Sequence, residues 1–133
     1  MYGRLVVDTS AIVAVLVSEP ERPALISATR GAELIAPGSV AWEVGNALAA
    51  MIEKRRLTMP DARTALAAFD AIPLRLVDVS LHVALEFADA LGLYAYDAYV
   101  LACAATQRAP LVTLDQALAR AARTAELRVR EVA

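Results

Sequence analysis

Cysteine is almost absent from this chain. Cys103 stands alone among 133 residues, which excludes an internal disulfide and any thiolate pair for a metal. A reducing, cytoplasmic setting is therefore expected. Histidine is as scarce: His82 is the only one, and it sits among Leu81, Leu85 and Ala88 on an amphipathic stretch, a structural rather than a catalytic setting. Ser10 lies in no nucleophile-elbow pattern, so Ser-His-Asp catalysis has no support. Lysine is limited to Lys54, leaving arginine, with its forked, bidentate geometry, to carry nearly all the positive charge. Long apolar runs are missing too. The stretch at 11–17 falls far short of the roughly 20 residues that span a bilayer, and Asp8 interrupts the first apolar run where a signal peptide would need none. No membrane association is expected. Neither a G-x-x-x-x-G-K-[ST] nor a G-x-G-x-x-G loop occurs, which removes the usual nucleotide cradles. A net charge of −2 excludes a globally basic nucleic-acid binder, although carboxylates devoted to cations lower the formal charge while their bound ions reverse its sign locally.

Apolar residues make up 59% of the chain and aromatic ones only 5%, so the core must be built from Ala, Val and Leu. Such a core suits helices packed closely on a short sheet. It also leaves little polar surface, and one face is expected to meet a partner. The pattern predicts strands at 4–7, 33–36, 74–77 and 110–113, with a last short one at 127–129. Helices are predicted at 11–17, capped by Thr9 or Ser10, and at 22–29, stopped by Gly31. Others follow at 40–56 behind Ser39, 60–71 opened by Pro60-Asp61, 80–92 between Ser80 and Gly92, 96–107 and 116–123. Alternation of short apolar strands with helices indicates an α/β domain on a mostly parallel sheet. No repeat, linker or low-complexity tract divides it, so one domain over 1–133 is expected.

Four acids stand out against that frame. In open parallel sheets, ligands gather outside the carboxyl ends of the strands. Asp8 follows Leu-Val-Val at one such end, and Asp115 follows Leu-Val-Thr-Leu, with Thr113, at another. Glu43 lies one turn into a helix with Asn46 three residues on. Asp97 opens a helix whose next positions are almost wholly apolar, with no nearby Lys or Arg to pair it. Each has a plainer explanation: Asp8, Asp97 and Asp115 as helix caps or first-turn acids, Glu43 as a solvated helix residue. Taken together, acids at strand ends and helix starts without basic partners point to an oxygen-ligand site for a hard cation such as Mg²⁺. Phosphoaspartate chemistry at Asp8 fails, because the position two residues on is Ser10 and no strand ends in lysine.

The segments Val6-Val7-Asp8-Thr9-Ser10-Ala11, Trp42-Glu43-Val44-Gly45-Asn46-Ala47-Leu48, Tyr96-Asp97-Ala98-Tyr99-Val100-Leu101-Ala102 and Leu111-Val112-Thr113-Leu114-Asp115 resemble the PIN-domain family in order and spacing. They are most similar to its VapC-type toxin branch. The resemblance implies a three-layer α/β/α sandwich on a mostly parallel sheet of four to five strands. It also implies Mg²⁺- or Mn²⁺-dependent cleavage of RNA phosphodiester bonds, with Asp8, Glu43, Asp97 and Asp115 as the metal-site carboxylates. Thr9, Asn46 and Thr113 match polar positions that line the family's site. Some members carry a further acid beside the third or fourth; here Ala98, Tyr99 and Gln116 occupy those places, which leaves one or two metal ions open. Arg120 and Arg123, following Asp115 on one helix face, are candidate phosphate contacts. The implied partners are an RNA substrate, an antitoxin protein that would itself carry any DNA binding, and a second copy in a homodimer. A non-catalytic PIN scaffold binding RNA or a protein is the competing expectation.

Overall fold

Arg4–Val7 forms the first strand, β1, and its side chains explain why: Leu5, Val6 and Val7 are all buried, as a strand covered on both faces requires. The computed structural model describes residues 3–132. Three further strands, β2 (Glu33–Pro37), β3 (Leu74–Val77) and β4 (Leu111–Val112), complete a sheet of order β3-β2-β1-β4. Every pairing is parallel, with Val6 opposite Ile35 on one side and Leu111 on the other.

Period-two alternation then divides the core. Leu5, Val7, Ala36 and Val112 face one way, against Ala11, Ile12 and Ala14 of helix α1 (Thr9–Leu16), Leu25 of α2 (Arg22–Thr29), Val40, Val44 and Leu48 of α3 (Val40–Glu53) and Ala65 of α4 (Met59–Ala71). Val6, Ile35 and Leu111 face the other way, against Val100, Leu101, Cys103 and Ala104 of α6 (Ala95–Gln107) and Leu118 and Ala122 of α7 (Gln116–Thr124). The helix α5 (Leu81–Leu91) packs outside α6 around Ala84, Ala98 and Ala102. This is the expected three-layer sandwich. The small alanine side chains of α6 let it lie close to β1 and β2 and make it buried on most sides.

The differences from expectation are local and have causes. Residues 127–129 do not form a strand; they contribute one parallel bridge, Leu111 with Val129. The alternating Arg128 and Arg130 are exposed, so the segment buries too little to extend the pairing. The fourth strand is two residues rather than four. The first helix begins at Thr9, capped by Asp8 rather than by Thr9 or Ser10. Helix α3 ends at Glu53, short of residue 56, because Arg55 turns left-handed at φ 58°. Helix α4 opens at Met59 behind a Thr58 cap that accepts from Asp61 N–H. Helix α6 begins at Ala95, which places Asp97 inside the first turn and makes Tyr94 the residue at the cap position.

Candidate active site

Parallel strands deliver their carboxyl ends to one edge, and that edge collects the acids. Asp8 leaves β1 and caps α1; Asp115, three residues past β4, caps α7 by accepting from Leu118 N–H at 3.1 Å. Glu43 lies in the first turn of α3, directly after β2 and its turn, and Asp97 in the first turn of α6.

Asp8 is the most tightly held. It is 6% exposed. Its Oδ1 accepts from Ser10 Oγ at 2.8 Å and from Ala11 N–H at 3.3 Å, and its Oδ2 accepts from Thr113 Oγ1 at 2.8 Å. Thr113 is buried as well, and its hydroxyl accepts from Asp115 N–H at 3.0 Å, while Ser10 Oγ accepts from Leu114 N–H at 3.0 Å. Two hydroxyls therefore stitch the β1–α1 junction to the β4–α7 junction and fix the carboxylate between them. Oδ2 retains capacity for another contact.

Glu43 is half-buried and accepts from Ser39 Oγ at 3.2 Å. Ser39 thus spends its hydroxyl on Glu43 and makes no side-chain cap on α3, contrary to the expected N-cap. Thr9 lies close enough to draw the Glu43 pKa down, yet among the described residues its buried Oγ1 completes no hydrogen bond. Asp97 is half-buried, and among the described residues its side chain takes part in no hydrogen bond or ion pair.

Electrostatics tie the four together. Burial raises the Asp8 carboxyl above its ordinary value; Ser10, Thr113 and Ala11 N–H pull it back, and the charge of Asp115 adds to the rise. Burial likewise raises Glu43, with Ser39 and Thr9 opposing and the charges of Asp8 and Asp97 reinforcing. Asp97 is raised by burial and then by Asp115. Repulsion thus runs in a closed ring, Asp8–Glu43–Asp97–Asp115. Among the described residues the ion pairs are Arg4–Glu33, Arg75–Glu33 and Arg123–Glu131, and none touches the ring.

Among the described residues no three acidic, His or Cys side chains are spaced to hold a metal ion by themselves. The donor set nonetheless suits a hard cation: all oxygen, clustered at one edge and without a basic partner. Mg²⁺ takes one or two carboxylates and keeps several waters, so a three-carboxylate chelate is not required.

The supporting residues divide. Thr113 sits at the heart of the network. Asn46 is exposed one turn beyond Glu43 and makes no side-chain hydrogen bond among the described residues. Arg123 is held by Glu131 at 2.7 Å, while Arg120 is exposed on the same helix. Ser10 and Ser39 were not anticipated in the site. The Asp-x-Ser spacing of Asp8 and Ser10 was a usable sign, since a hydroxyl two residues past a strand-end acid can fold back on it. Ser39, four residues before Glu43, was another. His82 is exposed on α5, and Cys103 is buried in the core with its thiol pushed up to about 11, which fits a packing role for the cysteine.

Solved structures share this architecture. PAE2754 from Pyrobaculum aerophilum is similar with a TM-score of 0.70 at 22% identity, over 89% of this chain and 78% of that one. VapC20 of Mycobacterium tuberculosis, described as a Sarcin-Ricin loop cleaving toxin, gives 0.66 at 17% identity, over 88% and 94%. A toxin–antitoxin complex from Klebsiella pneumoniae gives 0.56 at 16% identity, over 84% and 86%. At such identities the likeness speaks to the fold. No curated protein matches the sequence. Residues 5–124 match the PIN domain family, covering both cores and all four acids, and the chain belongs to that family.

Proposed function

We propose that this chain is a divalent-metal-dependent endoribonuclease of the VapC type, the toxin of a toxin–antitoxin pair, carried on a single domain over 1–133. The observation that carries the reading is the gathering of four acids, without a basic partner among the described residues, at the carboxyl edge of a PIN-family sheet. Toxins among the chains of like fold support the biological role.

Asp8, Glu43, Asp97 and Asp115 would hold Mg²⁺ or Mn²⁺. Such an ion supplies a more acidic water and neutralises charge developing on the phosphate. The side chains divide the remaining work by their hydrogen bonds. Asp8, fixed by Ser10, Thr113 and Ala11 N–H, is a positioned ligand with little freedom to move a proton. Asp97, free of such bonds, is the acid left to orient the attacking water. Thr113 keeps Asp8 and Asp115 in register, and Ser39 steadies Glu43 as the charged form. Arg120 is the better placed of the two arginines to meet a phosphate, because Arg123 is engaged by Glu131. The partners are RNA, an antitoxin protein and a second copy of this chain, in the cytoplasm. Among the described residues no helix is long and apolar enough to cross a membrane.

Purified, partner-free protein is expected to cut RNA with Mg²⁺ or Mn²⁺ and to stop with a chelator, and Asp8→Asn is expected to lose most activity while remaining folded. Undiminished cleavage by Asp8→Asn overturns the assignment. RNA binding without cleavage under any divalent ion would instead favour a non-catalytic scaffold.

A further inference from the structure

Beside the acid ring, at the same sheet edge, a cavity of about 250 Å³ lies between the ends of β2 and β3 and the first turns of α5 and α6. None of the four acids lines it. Gly38, Ser39, Asp78, Leu81 and Tyr99 do. One of these connects it to the ring: Ser39 donates to Glu43 at 3.2 Å.

The walls have a consistent chemistry. The Tyr99 ring meets Tyr96 edge-on, with centroids 5.9 Å apart, and adds an aromatic side chain to the lining. Leu81 is 61% exposed, a large apolar side chain that internal packing leaves uncovered. Gly38 N–H is already bonded to Val77 O at 3.0 Å and offers no donor. The Asp78 carboxylate offers acceptor oxygens, and among the described residues no Lys or Arg lines the cavity. Such a place repels phosphate. It suits a flat, partly apolar group with N–H donors on its rim, and its wall at Ser39 adjoins Glu43 of the ring.

We propose that this cavity holds the base of a nucleotide next to the scissile phosphate, and that Asp78 selects a base with an exocyclic amine over uracil. The amine donates to the carboxylate, whereas uracil would set a carbonyl against it. The inference rests on the ribonuclease reading above, and its test separates the two. Cleavage of RNA oligonucleotides differing at one position is measured as kcat/KM for wild type, Asp78→Ala and Leu81→Ala; both substitutions are at exposed positions and leave the core intact. Wild type is expected to prefer cytosine over uracil about tenfold at one position flanking the cut. Asp78→Ala should erase that preference, bringing the cytosine and uracil substrates to kcat/KM values within about twofold of each other, and Leu81→Ala should raise KM several-fold for all bases. Binding of fluorescent pentanucleotides to Asp8→Asn protein in Mg²⁺, with and without Asp78→Ala, reads the same preference without cleavage and so decides the cavity even if the chain cuts nothing. No preference for cytosine, or one that survives Asp78→Ala in both assays, overturns the proposal. So does a Leu81→Ala variant that loses self-association or antitoxin binding while handling every RNA as before.

Discussion

Asp8 concentrates the physical conflict of the whole site. Three hydrogen bonds favour its charged form, yet burial and the neighbouring Asp115 outweigh them, and its pKa stands above the ordinary value. Glu43 and Asp97 share that direction. A carboxyl whose folded pKa exceeds its unfolded one binds its proton more tightly in the native state. Its contribution is therefore greatest at low pH, and it is lost as pH rises from the ordinary carboxylate range through the raised folded value. In chelator, unfolding free energy should fall as pH rises through that window, and Asp8→Asn should flatten the slope in denaturant titrations at several pH values. A slope unchanged in Asp8→Asn would remove Asp8 from the repelling set. Thr113→Val probes the other side of the conflict. It keeps shape while deleting the donor to Asp8 and the acceptor for Asp115 N–H. A loss of about 1–3 kcal/mol is expected, with cleavage reduced, since a buried carboxylate loses a partner. The placing of Asp8, Thr113 and Asp115 at strand ends was legible from the sequence, because it needs only a strand and a count of residues. Ser10 and Ser39 were not recognised, because a hydroxyl beside a helix start reads equally as a cap, and only coordinates show which oxygen it serves.

At the scale of elements, two serines at helix starts make the same point testable. Ser80 and Ser39 each occupy an N-cap position, but Ser80 Oγ accepts from Val83 N–H at 3.3 Å while Ser39 donates to Glu43 instead. Ser80→Ala should cost about 1 kcal/mol and leave cleavage unaltered. Ser39→Ala should cost less stability and impair cleavage, with the acidic limb of the pH–rate profile moved upward as Glu43 loses the bond that lowers its pKa. Equal losses of stability and equal activity in the two variants would return Ser39 to an ordinary cap. Element order and type were readable because the strands are short apolar runs and the helices carry clear punctuation at Gly31, Ser80 and Gly92. Ends were misplaced where the signal was ambiguous. Asp8 fits both a cap and a site residue by sequence, and it caps α1 while its charge acts on Glu43. The segment 127–129 has the alternation of a strand but too few buried side chains to become one.

At the scale of the molecule, the four acids come from four separate stretches of chain and from helices on both sides of the sheet: α1 and α3 on one, α6 and α7 on the other. The site is therefore a seam between layers, and its repulsion acts against the closed structure as a whole. Stability given up there for function is recoverable by removing a charge or by adding a cation. Asp97→Asn preserves size and removes one like charge. With chelator, it should melt at or above the wild type. Mn²⁺ at about a hundred times its Kd should stabilise the wild type by about 2.7 kcal/mol, a shift of roughly 5–10 °C, because a ligand of the native state acts by mass action. The variant should gain much less and should cleave poorly. If Asp97 were only a first-turn acid favoured by the helix dipole, the order would invert: Asn would cost a few tenths of a kcal/mol, and the response to Mn²⁺ would match the wild type. Thermal melts of both proteins, in chelator and in Mn²⁺, separate the two cases. An equal metal shift in both would take Asp97 out of the site and leave the seam with three acids.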